Sequence, residues 1–188
     1  MKITLVRHGE VEEAFIGKYN GHNDIGLSRR GKEQMHSLAH ALKDKRFDAV
    51  FSSDLRRARE SIEPFGFRDI TFDAALREKS WGEHEGLGFD AIVAKGLVYE
   101  SFTQWLDALG GESVRAYQER VSCFFKKLCS REYENVFVMT HAGVIRTLIG
   151  IHKGLSLEES FSLALPYGSI VVFDTKEQTF STVKYKIG

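Results

Sequence analysis

The chain alternates short apolar runs with segments of helical periodicity. Short, mainly apolar runs of three or four residues are typical of strands that are buried on both faces of a sheet. Runs of this kind predict buried strands at Ile3–Val6, Ala49–Phe51 and Val136–Met139. Further along the chain, an antiparallel hairpin or edge pair is predicted from Ile170–Phe173 and from the alternating residues Val183, Tyr185 and Ile187.

Apolar residues three and four positions apart predict helices between these strands. Ser28 is a candidate N-cap for a first helix, whose apolar face consists of Met35, Leu38, Ala39 and Leu42. The side chains of Ser52–Asp54 can cap a second helix, which ends before Pro64 and buries Leu55, Ala58 and Ile62. Ser113 opens a long helix with a core-facing stripe that consists of Val114, Tyr117, Val121, Phe124 and Leu128. The apolar segment Val144–Ile149 predicts another helix.

The segment from about residue 65 to residue 111 lacks this periodicity and is rich in glycine. We predict that it is a short lid insertion over a site. Strands that alternate with helices indicate a three-layer α/β/α sandwich around a mostly parallel sheet. With 188 residues, the chain is expected to form a single domain that spans 1–188.

The composition narrows the classes of partner. The chain has 26 Lys and Arg residues against 26 Asp and Glu residues, so no global field attracts nucleic acid or an anionic membrane, and we expect neither as a partner. No apolar stretch approaches the ~20 residues of a membrane span. Cys123 and Cys129 fit neither a CxxC pair nor a zinc knuckle, and a reduced, cytoplasmic setting is the simplest interpretation.

Unusual polar residues follow each of the three predicted buried strands. They are Arg7–Gly9 after the first, Arg56 and Arg57 after the second, and His141 after the third. In such a sheet, ligands bind outside the carboxyl ends of the strands. Guanidinium groups repel metal ions but bind phosphate oxygens in pairs, and a neutral imidazole is nucleophilic toward phosphorus. The residues therefore predict phosphoryl transfer through histidine, with no metal and no cofactor.

A set of collinear motifs between residue 3 and about residue 150 resembles the histidine phosphatase superfamily, the phosphoglycerate-mutase-like enzymes. The matching segments are Leu5–Glu10, Gly17–His22, Leu27 and Ser28 with Gly31, Ser53–Ala58, Leu76–Glu78, Gly82 with Glu85 and Gly86, Gly111–Ser113, and Thr140–Gly143. An arginine-histidine-glycine triplet alone would be weak evidence, whereas the shared order makes coincidence improbable.

The resemblance implies a role for each matched residue. His8 is the nucleophile that becomes phosphohistidine, and Arg7, Arg57 and His141 bind the phosphoryl group. Glu78 occupies the position of the proton donor to the leaving oxygen, and we favour it over its neighbours Glu83 and Glu85. The motif spacing selects Arg57 rather than Arg56, which we interpret as a surface residue.

Other residues have a structural reading beside the functional one. Asn20, Gly21 and His22, with Lys18, border the expected pocket, where they either contact the substrate or stabilise the loop. His36 and His40 are four residues apart, but without a third ligand a solvated helix face is favoured over a zinc site. For His84 and His152 we expect surface positions. The lid aromatics either shape a leaving-group pocket or pack the insertion; they are Trp81, Tyr99, Phe102 and Trp105.

One position departs from the family pattern. Ala14 stands where the family often has an asparagine that contacts phosphate, so a hydrogen bond is absent or is supplied by Asn20. Because of this departure, a non-catalytic function remains an alternative hypothesis, in which the chain is a phosphate-ligand binding or regulatory module.

The resemblance favours a phosphatase, because family mutases usually carry longer insertions over the pocket. The segment Gly17–His22 with Leu27 and Ser28 looks most like the α-ribazole-5′-phosphate phosphatases of cobalamin synthesis. A broad-specificity phosphatase and a phosphoglycerate-type mutase remain alternatives. The expected partner is a small phosphate ester, and the oligomeric state, monomer or dimer, is left open.

Overall fold

A computed structural model describes residues 1–183, and its centre is a six-stranded sheet with the strand order β3-β2-β4-β1-β5-β6. The four strands β3, β2, β4 and β1 run parallel, whereas β5 is antiparallel to both β1 and β6. The sheet is therefore mostly parallel, as predicted. The strand bounds are β1 Lys2–Arg7, β2 Ala49–Ser52, β3 Thr71–Phe72, β4 Asn135–Thr140, β5 Ile170–Asp174 and β6 Thr179–Val183.

Helices cover both faces of this sheet. Their bounds are α1 Arg29–Leu42, α2 Arg56–Ile62, α3 Phe89–Val93, α4 Phe102–Ala108, α5 Val114–Cys129, α6 Ala142–Lys153 and α7 Leu157–Ser162. Short 3-10 helices lie at Glu13–Phe15, Glu63–Phe65, Ala74–Leu76 and Gly82–His84. Ser28 and Ser113 cap α1 and α5 as predicted, because their side chains accept hydrogen bonds from Gly31 N and Ala116 N.

The two-residue period of the strands divides the core between the two faces of the sheet. Leu5 and Val138 face α5 and α6, whereas Val6 and Met139 face α1 and α2. One apolar cluster therefore lies between the sheet and each of its two helical layers. This arrangement is a three-layer α/β/α sandwich, which confirms the predicted fold class. The carboxyl ends of the neighbouring parallel strands β1 and β4 lie side by side at one edge of the sheet.

The insertion between α2 and α5 has a small core of its own. Trp81, Trp105 and Leu106 are buried in it, together with Ile92 of α3. Tyr19, from the loop between β1 and α1, reaches this cluster and accepts a hydrogen bond from Trp105 Nε1 at 3.1 Å. The aromatic residues thus pack the insertion and also connect it to the loop beside the sheet edge.

The predicted cap of α2 was wrong. The helix begins at Arg56 with Leu55 as N-cap, and no side chain of Ser52–Asp54 caps it. Their polar groups are engaged elsewhere: Asp54 forms a bidentate ion pair with Arg77 (2.6 and 2.7 Å), and the Ser53 hydroxyl lies 2.8 Å from a histidine ring described below.

The closing hairpin exists, but its second strand begins earlier than predicted, at Thr179. Val183 pairs with Ile170, whereas Tyr185 and Ile187 lie outside the described residues. Sequence periodicity also missed α7, whose Ser156 and Glu159 form a capping box.

His84 is buried rather than exposed, which corrects the surface assignment. Its Nδ1 donates to the Leu109 carbonyl oxygen at 2.8 Å, because the end of α4 packs over it. His152 is exposed as expected.

Within residues 1–183, no helix is long and apolar enough to cross a membrane.

Candidate active site

His8 follows β1 directly, beside the end of β4. Its ring Nδ1 lies 2.8 Å from the Gly9 carbonyl oxygen. Because a carbonyl oxygen only accepts, Nδ1 carries the proton and Nε2 keeps its lone pair. Burial, and then the charges of Arg57 and Arg7, lowers the pKa of the His8 ring well below its usual value. The ring is therefore neutral near pH 7, the state in which Nε2 can attack phosphorus.

His141 is the N-cap residue of α6, and its ring centroid lies 5.0 Å from that of His8. Its Nε2 lies 2.8 Å from the Ser53 hydroxyl, and its Nδ1 is buried without a hydrogen-bond partner among residues 1–183. Burial, followed by the positive charge of Arg57, also lowers the pKa of His141 well below its usual value. Two neutral imidazoles thus meet at the sheet edge.

Arg7 is the last residue of β1, and its guanidinium lies 4.0 Å above the ring of Tyr167. Its Nη1 donates to the Leu165 carbonyl oxygen, and its buried Nε has no hydrogen-bond partner in the part of the chain described. Burial lowers the pKa of Arg7, while nearby Tyr167 and Glu78 oppose that shift. The group is held on one side by the segment before β5 and leaves donors for an anion on the other.

Arg57 is the second residue of α2, and its side chain is buried. Its Nη2 donates to the carbonyl oxygens of Gly21 (2.6 Å) and Asn20 (3.3 Å), and its Nη1 donates to that of Asn23 (3.3 Å). Burial lowers the pKa of Arg57 to about 10, so the group stays charged at neutral pH. This arginine fixes the loop before α1 and places a buried positive charge near both imidazoles.

Glu78 lies in the loop after the 3-10 helix Ala74–Leu76, and its carboxyl group accepts three hydrogen bonds. Its Oε1 accepts from the Tyr117 hydroxyl (2.8 Å) and Lys79 N (3.0 Å), and its Oε2 accepts from Gly143 N (2.9 Å). A Cβ at position 143 would overlap this carboxyl group, so the approach requires glycine. The rival Glu83 points into solvent, with a side chain 80% exposed.

Glu85, the other rival, organises the loop before α1. Its carboxylate accepts hydrogen bonds from the backbone N–H groups of Gly21 (2.6 Å), His22 (2.7 Å) and Trp81 (2.9 Å). The His22 ring lies 2.9 Å from the Glu78 carbonyl oxygen. The structure therefore places Gly21 and His22 behind the cavity wall, where they support the loop.

Asn20 lines the cavity itself. Its Nδ2 donates to the Phe15 carbonyl oxygen at 2.6 Å, and its Oδ1 accepts from Asn23 Nδ2 at 3.2 Å. One amide hydrogen is left for a ligand. Ala14 is exposed in the 3-10 helix Glu13–Phe15.

A cavity of about 300 Å³ opens over Arg7, His8 and Glu78. One part of its wall is apolar and aromatic, and consists of Val11, Tyr19, Trp81, Phe102, Leu106 and Phe161. Lys18 and the half-buried Arg146 add two cations to the wall. Arg146 Nε donates to the Leu163 carbonyl oxygen at 2.9 Å, so a backbone oxygen orients this guanidinium. The cavity therefore suits an anion that carries an organic group.

Several residues of the site were not predicted from the sequence. Arg146 was detectable as the one charge inside the apolar segment of α6, but Tyr167 precedes β5 in a short loop without a pattern. Tyr117 was assigned to a core stripe, and Ser53 was considered as a helix cap and as part of a matching motif, without a role of its own in the site. Phe161 belongs to α7, the helix that periodicity missed.

The remaining histidines lie away from this edge. His36 and His40 are exposed on α1. Among residues 1–183, no three side chains of the His, Cys, Asp and Glu types come together as a metal site.

Comparison with known proteins agrees with this architecture. The family model described as histidine phosphatase superfamily (branch 1) matches residues 3–188. Phosphoserine phosphatase 1 of Hydrogenobacter thermophilus is 29% identical over 198 residues, which cover 100% of this chain and 92% of the relative. A 2,3-bisphosphoglycerate-dependent phosphoglycerate mutase of Parvibaculum lavamentivorans is 30% identical over 192 residues, with coverages of 94% and 91%.

Among solved structures, the α-ribazole phosphatase of Shigella flexneri superposes with a TM-score of 0.82 at 25% identity, and the match covers 97% of this chain and 95% of that one. The relatives are phosphatases and mutases, which supports a phosphatase enzyme. On this match over residues 3–188, the chain belongs to the histidine phosphatase superfamily (branch 1).

Proposed function

We propose that the protein is a metal-independent phosphomonoester hydrolase that acts on a small organic phosphate through a phosphohistidine at His8. The observation that carries the proposal is the neutral, buried His8 ring, whose Nδ1 is held by Gly9 while Nε2 faces a cavity lined by Arg7 and Glu78. This is the arrangement that a nitrogen nucleophile toward an anionic phosphoryl group needs.

In the first half-reaction, His8 Nε2 attacks phosphorus and the bond to the ester oxygen breaks. The ring becomes a phosphorylated imidazolium, and the Gly9 carbonyl accepts a hydrogen bond from its Nδ1–H. Arg7 and Arg57 supply positive charge where negative charge develops on the phosphoryl oxygens. His141, whose Nδ1 has no hydrogen-bond partner among residues 1–183, forms a hydrogen bond with one of these oxygens. Protonated Glu78 gives its proton to the leaving alkoxide, so the alcohol departs neutral.

In the second half-reaction, the Glu78 carboxylate takes a proton from a water molecule whose oxygen attacks phosphorus. The bond between phosphorus and Nε2 breaks, and His8 returns to its neutral form with the proton on Nδ1. Inorganic phosphate leaves, and Glu78 is again protonated for the next turnover. A single carboxyl group thus acts first as the acid and then as the base.

For the substrate, α-ribazole 5′-phosphate of cobalamin synthesis is the first candidate. The aromatic wall formed by Trp81, Phe102 and Phe161 fits a flat heterocyclic group, since such rings stack on aromatic side chains. The similarity to the Shigella flexneri enzyme supports the same candidate. Asn20 adds a polar group on this wall, while Gly21 and His22 support it from behind.

Phosphorylated acids are a second candidate, and Arg146 and Lys18 favour them. Both cations line the cavity, so a substrate with a carboxylate beside its phosphate group would find a matching charge. The relatives named as phosphoserine phosphatase and phosphoglycerate mutase support this alternative. Product analysis with 3-phosphoglycerate separates hydrolysis, which releases phosphate, from a mutase reaction, which moves it.

The test compares the wild type with His8→Ala, and uses His36→Ala, an exposed histidine on α1, as the matched control. We expect 4-nitrophenyl phosphate to be hydrolysed in excess EDTA by the wild type and the control. In both proteins we also expect a covalently bound phosphoryl group that is labile in acid and stable in base. In His8→Ala we expect neither turnover nor this labelling.

Three results would contradict the proposal. Turnover that EDTA abolishes would indicate a metal-dependent hydrolase. Turnover and labelling that persist in His8→Ala would exclude this residue as the nucleophile. Phosphate binding by a wild type that hydrolyses neither the aryl ester nor α-ribazole 5′-phosphate nor phosphoserine would indicate a binding or regulatory module.

A further inference from the structure

A residue of α5 that lies outside all of the catalytic sequence motifs donates a hydrogen bond to Glu78. The motif places Glu78 beside the phosphoryl site, but the hydroxyl closest to its carboxyl group belongs to Tyr117, 39 residues further along the chain. We propose that Tyr117 is a positioning residue for Glu78, which fixes the carboxyl plane so that its proton points at the leaving oxygen. This inference rests on the proposed function, because it assumes that Glu78 is the acid.

The Tyr117 side chain is among the most deeply buried in the molecule, with 1% of its surface exposed. Its ring belongs to the apolar cluster between the sheet and α5, while its hydroxyl donates to Glu78 Oε1 at 2.8 Å. Burial, with the nearby Glu78 carboxyl, raises the pKa of the Tyr117 hydroxyl well above its usual value. The group therefore stays protonated, and a hydrogen-bond donor, near neutral pH.

The two oxygens of Glu78 are held from two different helices. Tyr117 of α5 holds Oε1, and Gly143 N, in the first turn of α6, holds Oε2 at 2.9 Å. Gly143 follows His141 by two residues, so α6 ties the carboxyl group to the phosphoryl site. With Tyr117 removed, one side-chain anchor of Oε1 is lost and rotation about the last side-chain bond of Glu78 becomes less restricted.

The backbone of the same loop is also fixed from α5. Arg120, one turn after Tyr117, donates to the carbonyl oxygens of Ala75 (2.8 Å) and Arg77 (3.1 Å), and it forms a bidentate ion pair with Glu112 (2.6 and 2.8 Å). The loop that carries Glu78 is thus already held in place without the tyrosine hydroxyl. We therefore expect that removing this hydroxyl changes the carboxyl orientation while the loop stays in position.

The experiment is Tyr117→Phe, which keeps the buried ring and removes only the hydroxyl. Two aryl substrates of similar shape are compared: phenyl phosphate, whose leaving group needs a proton, and 4-nitrophenyl phosphate, whose leaving group departs as a stable anion. The readout is kcat/KM, because it reports the steps up to the phosphoenzyme. We expect a loss of about 10- to 100-fold for phenyl phosphate and less than about threefold for 4-nitrophenyl phosphate.

Two further variants separate positioning from a merely structural role. In a Glu78→Gln background, Tyr117→Phe is expected to have no additional effect on phenyl phosphate, because the acid is already absent. Tyr133→Phe removes the hydroxyl of a half-buried core tyrosine outside the cavity wall, and is expected to match the wild type with both substrates.

Equal losses for both substrates, or an additive loss in the Glu78→Gln background, would overturn the inference. These outcomes are distinct from a failure of the proposed function, which would appear as absent phosphohistidine in the wild type. A melting temperature measured for each variant shows whether an equal loss reflects partial unfolding. An equal loss with an unchanged melting temperature also counts against positioning.

Discussion

The floor of the cavity and the insertion above it are built in different ways. The floor consists of His8, which lines the cavity, and of His141 and Arg57, which lie close to His8 but not on the cavity wall. These residues follow β1, β4 and β2 and are almost fully buried. A backbone hydrogen bond between neighbouring strand ends fixes the first of these positions, since His8 N–H donates to the carbonyl of Thr140, the residue before His141, at 3.0 Å. The insertion is held instead by side-chain packing around Trp105.

Under the proposed function, the two parts have different tasks. Phosphoryl chemistry needs charges and lone pairs held at fixed positions, and the end of a parallel sheet supplies them. Recognition of the organic group needs shape and apolar surface, which a small aromatic cluster provides without constraining the sheet. Changes in the floor should therefore affect every substrate alike, and changes in the insertion should discriminate between substrates.

The largest expected effect is on the floor. Arg57→Lys keeps the charge but loses the planar fork that binds three backbone carbonyls. We expect kcat to fall by about 100- to 1,000-fold with every phosphomonoester. Steady-state kinetics with two unrelated esters test this, with the exposed neighbour Arg56→Lys as the control. A loss confined to one ester would contradict the division between floor and insertion.

The buried imidazoles also make the floor sensitive to acid. The lowered pKa values of His8 and His141 mean that the folded protein excludes protons that the unfolded chain binds below the ordinary histidine value of 6.5. Stability is therefore fully present above pH 6.5 and is lost as pH falls below it, by up to about 1.4 kcal/mol per pH unit for each histidine. Urea unfolding of His141→Gln between pH 7 and pH 5 should show a shallower loss than wild type; an unchanged slope would argue against this origin.

A smaller and selective effect is expected in the insertion. Phe102 is half-buried on the cavity wall, and Phe102→Ala removes apolar surface that faces the organic group. We expect KM to rise about tenfold for an aromatic phosphomonoester, with no change in the inhibition constant of inorganic phosphate. Val98→Ala, an exposed position in the same insertion, serves as the control. A parallel change in phosphate affinity would show that the insertion also shapes the floor.

The smallest effect is expected where the two regions meet. Asn20→Ala removes an amide that braces the loop through Phe15 and Asn23 and faces the cavity. A neutral hydrogen bond contributes about 1 kcal/mol, so kcat/KM should fall by about three- to tenfold. Asn135→Ala, at the opposite end of β4, should leave kcat/KM unchanged. A loss above about 100-fold would place Asn20 among the groups that bind the phosphoryl oxygens.

The sequence predicted the floor better than the insertion, for a physical reason. Strand ends are marked by an abrupt change from apolar to polar residues, so His8 and His141 were recognisable before the sheet was known. His84 has no such mark: it lies in a polar, glycine-rich stretch, yet α4 buries it against Leu109. Surface or core position in the insertion depends on how short elements pack, and their periodicity is too brief to predict it.

The carboxyl candidates show the same limit. Glu78, Glu83 and Glu85 lie within eight positions, and sequence reasoning favoured the first only through a motif. The fold separates them, because Glu78 turns toward Gly143, Glu83 points into solvent and Glu85 binds the backbone of the loop before α1. The backbone conformation of an irregular loop determines where each of the three side chains points, and no local sequence pattern encodes that conformation.

By itself, the sequence determined the three-layer fold, the strand ends and the residues that follow them, because burial of apolar periods is a local and additive property. Only the tertiary structure decided which partners meet those residues. Tyr117 on Glu78, Tyr167 under Arg7 and Arg146 on the cavity wall come from distant segments. Their contacts depend on the packing of α5, α6 and the segment before β5 around one sheet edge, which a one-dimensional pattern does not contain.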